Sequence, residues 1–297
     1  EWKGGTATFD ITLAALRPAL LDNRAPAMTL SGTFGSRWLG LPSPDGTAST
    51  SNTLQLQSKL ALEGKLDGKL GEAVRIDAGL QAQRTPESWR IELSDAQARA
   101  GAASLRGELQ AERGSNGATQ LKSQGQAKGF DPARWWAAAP GARLNGAWNA
   151  ELQAPPSWRF DAQSVASWLA LRGKAELDMQ SSTLAGVPLQ GTLRADSAAA
   201  GWSIDAKASA ANNKASLQGL LAARADGDRW RAEIDAPSLA ALQPLVTALA
   251  PRAGLEGLDG AATGQMQVTG RWPAVRTSGT LRGSALRAGP FSAAQLN

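Results

Sequence analysis

The sequence predicts a mainly β fold: an elongated antiparallel β-sheet curled into a trough, with about three short helices. Apolar and polar residues alternate with a period of two through most of the 297 residues, as they do in strands that bury one face. Residues that favour turns separate many of the alternating runs. The stretches that resemble helices are short and far apart in sequence, so they provide no layer that could cover a sheet.

The alternation is clearest in residues 54–70, where Leu occupies most even positions and Gln, Lys, Glu or Asp most odd positions. In a strand, this spacing puts the Leu side chains on one face and the charges on the other, whereas a helix would distribute both sets around its surface. Because the run is long for one strand, a bend or turn is expected at Gly64 or Gly68.

Shorter runs repeat the pattern at 74–81, 89–94, 103–111, 144–152, 175–179, 202–208, 230–234 and 264–270. Turn-forming residues lie between many of them, at 116–117, 186–188, 212–213 and 226–228. Consecutive strands joined by short turns form an antiparallel meander with one apolar and one wet face. About 20 such strands would extend on the order of 100 Å at ~4.8 Å per strand.

Three stretches interrupt the strand pattern: residues 10–20, 130–136 and 235–245. Each combines an Asp with Pro and with Ala or other helix-tolerant residues. Asp is a good N-cap and Pro suits the first helical turn, so each stretch predicts a short helix. Pro18 and Pro244 are expected to limit or kink the first and third of these helices.

The spacing of the three stretches suggests a loose internal repeat within one elongated region, 1–297. The approximate repeats are 1–130, 131–234 and an incomplete 235–297, as expected for a stack of similar units. We interpret the Trp135–Trp136 pair as packing a short helix over the edge of the trough or capping a repeat.

The composition argues against most kinds of catalysis. The chain has no His and no Cys, which removes His general bases, Cys nucleophiles, Cys/His zinc sites and Ser-His-Asp triads. We therefore expect no enzyme, no metal site and no cofactor. A glycosidase pair, formed by two carboxylates that meet in space, stays open as an alternative. Its candidates on the polar faces are Glu92, Glu108, Glu151, Asp178 and Glu233.

The charge pattern gives little sign of a nucleic-acid partner. The formal net charge is +5, from 31 basic and 26 acidic residues, and the basic residues are scattered singly, so no nucleic-acid-binding patch is predicted. The sequence begins at Glu1 without Met and has no apolar run long enough for a membrane-spanning helix. We expect an internal piece of a longer protein, whose anchor and targeting segments would lie outside it.

The apolar face mixes Leu and Trp with many small residues. A trough with such a face would accept acyl chains, since each CH2 group removed from water contributes ~0.8 kcal/mol. The competing interpretation is ordinary sheet core. The residues expected to line a lipid groove are Leu54, Leu56, Leu60, Leu62, Leu66, Leu70, Val74, Ile76, Leu80, Trp89, Ile91, Leu93, Leu105, Leu109, Leu144, Trp148, Leu152, Leu177, Trp202, Ile204, Trp230, Ile234, Met266 and Val268.

Two segments carry a resemblance to a known family. Residues 268–283, with their Gly, Pro and Leu positions, resemble the strand repeat of TamB-type proteins, which belong to the AsmA-like family of bacterial envelope proteins. Residues 89–135, with the Asp131-Pro132 motif, resemble the middle region of the same proteins. The resemblance covers most of the chain and is best at 54–155 and 200–285.

This resemblance implies a periplasmic β-taco protein of Gram-negative bacteria, anchored to the inner membrane by a segment outside this chain. It implies a bridge-like role in lipid transport, with phospholipids moving in an apolar groove towards the outer membrane. It also implies an outer-membrane barrel partner of the TamA type. The family supplies no catalytic residues.

Two other functions compete with lipid transport. One is a scaffold for the assembly of outer-membrane proteins or autotransporters, in which exposed strand edges pair with client strands. The other is a carbohydrate-active or adhesive β-solenoid, which predicts aromatic stripes on the outer face. The alternation instead places Trp89, Trp148, Trp202 and Trp230 with the apolar face.

Overall fold

The computed structural model describes residues 2–3, 5–22, 25–40, 53–67, 71–136, 138–159, 165–250, 254–271 and 273–296. It confirms the mainly β, antiparallel fold, with 17 strands in the described residues against the roughly 20 expected. The chain forms two compact units, which are described separately. Unit 1 comprises Glu1–Ala139 and Trp148–Arg159, and unit 2 comprises Pro140–Ala147 and Phe160–Asn297.

In unit 1, each strand from β2 to β8 pairs with the next along the chain, and β1 pairs with β2. The strands are β1 (Trp2–Lys3), β2 (Thr6–Leu16), β3 (Met28–Leu39), β4 (Leu54–Leu66), β5 (Ala73–Arg84), β6 (Trp89–Ala100), β7 (Ala103–Arg113) and β8 (Thr119–Phe130). The next strand, β9 (Ala142–Ala154), contributes residues to both units.

In unit 2, the strands from β10 to β17 also pair in chain order. They are β10 (Arg172–Leu184), β11 (Val187–Ala198), β12 (Gly201–Ala210), β13 (Asn213–Ala222), β14 (Arg229–Ala236), β15 (Asp259–Thr269), β16 (Arg276–Ala288) and β17 (Phe291–Leu296). This pairing of sequence neighbours is the meander that the turn residues predicted.

The helical segments are shorter than the sequence suggested, and the described residues contain two α-helices and four 3-10 turns. The first expected helix is wrong over most of its length, because β2 continues to Leu16 and only Pro18–Leu20 forms a 3-10 turn. The second is a 3-10 turn, Pro132–Arg134, whose N-cap Asp131 accepts a hydrogen bond from the Ala133 N–H at 3.2 Å.

The third expected helix is partly right. Ala240–Leu242 forms a 3-10 turn, and helix α2 (Gln243–Leu249) follows with Pro244 in its first turn. Pro244 therefore begins the helix instead of kinking it, as its fixed φ and missing N–H allow. Helix α1 (Val165–Ala170) and the 3-10 turn Ala225–Gly227 were not predicted.

Strands β2, β6, β10 and β16 each contain one extra residue relative to a paired strand. In β6, Leu93 pairs with Leu109 and Ala96 with Gly107, so three steps on β6 match two on β7. The bulge includes Asp95, whose φ is +51°. It keeps Leu93 and Ala96 on one face, although a regular strand would place them on opposite faces.

The most enclosed part of unit 1 lies where β3 and β5 begin and β4 and β6 end. Met28, Leu30, Leu62, Val74 and Ala100 are buried there, and Trp135 packs against them. We call this the capped end, because the 3-10 turn Pro132–Arg134 brings Trp135 onto it.

Candidate functional site

The register places the predicted groove residues of unit 1 on one face. Leu62 pairs with Ile76, and Leu80 pairs with Leu93, which pairs with Leu109. Since directly paired residues point to the same side of a sheet, the alternation identified the face correctly.

At the capped end, that face is core. Leu62 and Val74 are 7% and 2% exposed, and Trp135 covers the cluster to which they belong. Trp135 stacks on Phe130 with ring centroids 6.3 Å apart. The Arg134 guanidinium is ion-paired with Glu72, and it lies 3.5 Å from the carboxylate of Asp131. These contacts hold the turn that carries Trp135.

In unit 2, part of the corresponding apolar face is exposed to solvent. One row of directly paired residues crosses six strands: Leu177, Leu193, Ala206, Leu217, Ala232 and Met266. The adjacent row is Met179, Gly191, Ala208, Ala215, Ile234, Gly264 and Leu281. We call these two rows the apolar strip.

Met179 is half-buried, and the other six large side chains of the apolar strip are exposed to a similar degree. Leu177, Leu193 and Leu217 are 37–38% exposed, and Ile234, Met266 and Leu281 are 41–46% exposed. Six strands span about 24 Å at ~4.8 Å per strand. A continuous exposed apolar band of this length is uncommon on a soluble surface and marks a candidate binding site.

The small residues of the strip have a packing role. A Cβ on Gly191 would lie 2.6 Å from the Lys207 carbonyl oxygen, and one on Gly264 would lie 2.4 Å from that of Thr280. Neighbouring backbones therefore approach too closely for a side chain there. Low side-chain bulk, which the sequence suggested as room for a ligand, is explained at these two positions by strand packing.

Three of the predicted groove tryptophans have a structural partner. Trp148 lies against Gly107 and Gly125 and donates from Nε1 to Ser123 Oγ at 3.0 Å. Trp230 lies over Gly219, its direct cross-strand partner.

Trp202 is 7% exposed, and its Nε1 donates to the Trp168 carbonyl in α1 at 3.1 Å. Helix α1 thus covers the start of β12, which sequence patterning did not indicate.

The other predicted groove residues divide by exposure. Ile91 is exposed, and Leu70 lies outside the described residues. The remainder are half-buried: Leu54, Leu56, Leu60, Leu66, Ile76, Leu80, Trp89, Leu93, Leu105, Leu109, Leu144, Leu152, Ile204 and Val268.

A depression of about 1020 Å³ in unit 2 is lined by residues of both faces. Its lining includes two complete polar rows, one through Lys207 and Glu233 and one through Lys214 and Asp235. Ile234 is the one predicted groove residue among the residues that line it. The lining also includes six residues of the apolar strip, all from the row that contains Ile234: Met179, Gly191, Ala208, Ala215, Ile234 and Gly264. The row that runs from Leu177 to Met266 lies outside this lining.

The structure brings three of the five candidate carboxylates together in unit 1. Glu92, Glu108 and Glu151 line one depression of about 280 Å³ with Lys122 and other polar residues. Glu108 accepts a hydrogen bond from Gln124 at 2.8 Å, and Glu92 is ion-paired with Arg90 at 3.3 Å.

Two ion pairs stand out electrostatically. The hydrogen bond from Arg75 holds the pKa of Asp77 below its usual range, and Arg99 and Lys59 act in the same direction. Arg271 binds Asp228 through two nitrogens, each at 2.8 Å, which raises the pKa of Arg271.

The described residues contain no group of three or more acidic side chains that could hold a metal ion. None of the helices in the described ranges is long and apolar enough to cross a membrane. Comparison of the chain with protein-family models, with curated proteins and with solved structures gave no match.

Proposed function

We propose that this chain binds the acyl chains of phospholipids on the apolar strip of unit 2 and serves as a segment of a periplasmic lipid-transport bridge. The observation that carries the proposal is the continuous exposure of Leu177, Leu193, Leu217, Ile234, Met266 and Leu281 on one face. The sequence resemblance to TamB-type proteins supplies the lipid class, the periplasmic location, the inner-membrane anchor and a barrel partner of the TamA type.

An acyl chain suits such a strip because it is apolar and flexible and needs no hydrogen-bond partner. Each CH2 group that leaves water contributes ~0.8 kcal/mol. The large side chains supply contact area, while the polar face of the same strands stays in water. The strip needs no catalytic group for this role.

The experiment places a photoreactive residue at Leu217, and in a matched variant at Gln218. The two positions are consecutive on β13 and point to opposite faces, and Gln218 donates to Asp205 at 2.9 Å on the polar face. After photolysis in cells that contain the whole protein, mass spectrometry of the crosslinked species should find phospholipid at position 217 and little at 218. Equal lipid labelling at both positions would contradict the proposal.

The same experiment distinguishes lipid binding from the alternative role as a scaffold for protein assembly. Crosslinks to outer-membrane β-barrel proteins from both positions, without lipid, would favour a role in protein assembly over lipid transport.

A further inference from the structure

Three basic side chains surround one serine on the polar face of unit 1. Arg99 on β6 pairs directly with Ser104 on β7, and Ser104 pairs directly with Lys128 on β8. Arg106 lies two residues further along β7, on the same face. Directly paired Cβ atoms are about 5 Å apart, and residues i and i+2 of a strand about 7 Å apart. Ser104 therefore has three cationic side chains as its neighbours on this face.

Two of these cations converge on one neutral acceptor. With its amide oriented so that the oxygen faces them, Gln97 accepts from Arg99 Nη2 at 2.7 Å and from Arg106 Nε at 2.9 Å. Gln97 thus holds both guanidinium groups near each other and, as a neutral acceptor, adds no negative charge of its own.

Asp95 and Glu108 line the same depression as Arg106, whereas two other nearby carboxylates have partners of their own. Asp77 is bound by Arg75 at 2.7 and 3.1 Å, and Glu72 is ion-paired with Arg134. Among the described residues, no ion pair within 4.0 Å joins a carboxylate to Arg99, Arg106 or Lys128.

The register also places Arg75 directly opposite Arg99. Like charges in a direct cross-strand pair are unfavourable. The Asp77 carboxylate, which Arg75 binds, offsets part of this repulsion because it also interacts electrostatically with Arg99.

We propose that Arg99, Arg106 and Lys128 bind a phosphate group above Ser104. The two guanidinium groups donate to the phosphate oxygens, as their planar forks favour. The Lys128 ammonium supplies a third positive charge, and the Ser104 hydroxyl donates a hydrogen bond to a phosphate oxygen. The phosphate belongs either to a soluble phosphate ester or to a lipid head group.

This proposal does not depend on acyl-chain binding, because the site lies in unit 1 on the face opposite the predicted groove residues. Failure of either proposal leaves the other unaffected.

The test titrates the full chain with inorganic phosphate and follows backbone amide resonances by NMR. A saturable shift is expected at residues 97–106 and 126–128. In Arg106→Gln and in Lys128→Gln, the affinity should fall about tenfold each, the loss expected for one charge-assisted hydrogen bond. Lys122→Gln is the matched control, because Lys122 is exposed on the same face of the same strand, and it should bind as the unmodified chain does.

A second arm identifies the source of the phosphate. Vesicles of phosphatidylcholine with and without phosphatidylglycerol are tested for binding to the same variants. If only the anionic vesicles bind the chain, and Lys128→Gln abolishes that binding, the site is assigned to a lipid head group. If the chain binds inorganic phosphate saturably but neither kind of vesicle, the site is assigned to a soluble phosphate ester. The proposal is overturned if neither probe binds, or if Lys122→Gln weakens binding as much as Lys128→Gln.

Discussion

Asp228 is the most enclosed charged side chain of the described residues, at 2% exposure. It accepts the Ala222 N–H at 2.8 Å, and Arg271 bridges it to the Ala222 carbonyl, also at 2.8 Å. These bonds connect the end of β13, the turn before β14 and the second residue after β15. The Asp228 carboxylate is held in place because each of its oxygen atoms accepts at least one hydrogen bond.

Replacing Asp228 with Asn should destabilise unit 2 by about 3 kcal/mol, because the Arg271 guanidinium would lose its counter-charge in a protected site. Chemical denaturation followed by tryptophan fluorescence measures the change. The control is Asp226→Asn, which removes the exposed pair with Arg224 and should cost less than about 0.5 kcal/mol. Equal effects of the two substitutions would show that burial of the Asp228 pair contributes nothing.

Asp77 makes a pH-dependent contribution. Its pKa is lowered in the folded chain by the hydrogen bond from Arg75, so its contribution to stability is present above the unfolded pKa of about 3.9 and disappears as the pH falls through the lower folded value. NMR titration of the Asp77 carboxyl carbon should give a pKa below 3.8, the ordinary value, and Arg75→Gln should raise it. An unchanged pKa in Arg75→Gln would contradict the role of this hydrogen bond.

At the scale of the element, the neighbouring tryptophans of the Pro132–Arg134 turn have different environments. Trp135 packs on the buried cluster of the capped end, whereas Trp136 is 54% exposed. The pair was interpreted from the sequence as one capping feature, but only the first member covers the sheet.

Trp135→Ala should therefore destabilise unit 1 by about 3 kcal/mol, as truncation of a large packed aromatic does. Trp136→Ala, one residue away, should change stability by less than about 0.5 kcal/mol. Thermal unfolding of both variants beside the unmodified chain checks this. A larger loss for Trp136→Ala would reverse the assignment of the cap.

The bulge in β6 gives a second prediction at this scale. Deleting Asp95 should leave Leu93 and Ala96 on the apolar face, because the shortened strand then alternates regularly. It also removes a non-glycine residue with a φ of +51°. The free energy of unfolding of the Asp95 deletion should stay within about 1 kcal/mol of that of the unmodified chain. Deleting Gln97 instead forces either Arg99 or Asp95 onto the apolar face and should disrupt unit 1. Hydrogen exchange of β6 and β7 compares the two deletions, and equal loss of protection would contradict this account of the bulge.

At the scale of the whole molecule, each strand of a unit pairs with its neighbours in sequence, so stability is expected to be a sum of local interfaces. Ending the chain at Val275 removes β16 and β17 and should leave the other strands of both units folded. Removing the internal hairpin β12–β13 should instead unfold unit 2. Hydrogen exchange resolved by residue measures both, and collapse of unit 1 in the truncated chain would contradict local coupling.

The sequence by itself indicated most of the strands and, between the bulges, which face their side chains take. The period of two is a local property, and paired residues such as Leu80 and Leu93 bear it out. It also indicated the Asp131-capped turn, since capping depends on adjacent residues.

The tertiary structure decided which parts of the apolar face are covered. Leu62 and Leu217 occupy equivalent places in an alternating pattern, yet one is 7% and the other 38% exposed. Trp135 packs on the cluster that contains Leu62, and it is distant in sequence from that residue. The pairing of Asp228 with Arg271 likewise joins residues 43 positions apart. Periodicity records only where a side chain points, whereas burial depends on which distant segment packs against it.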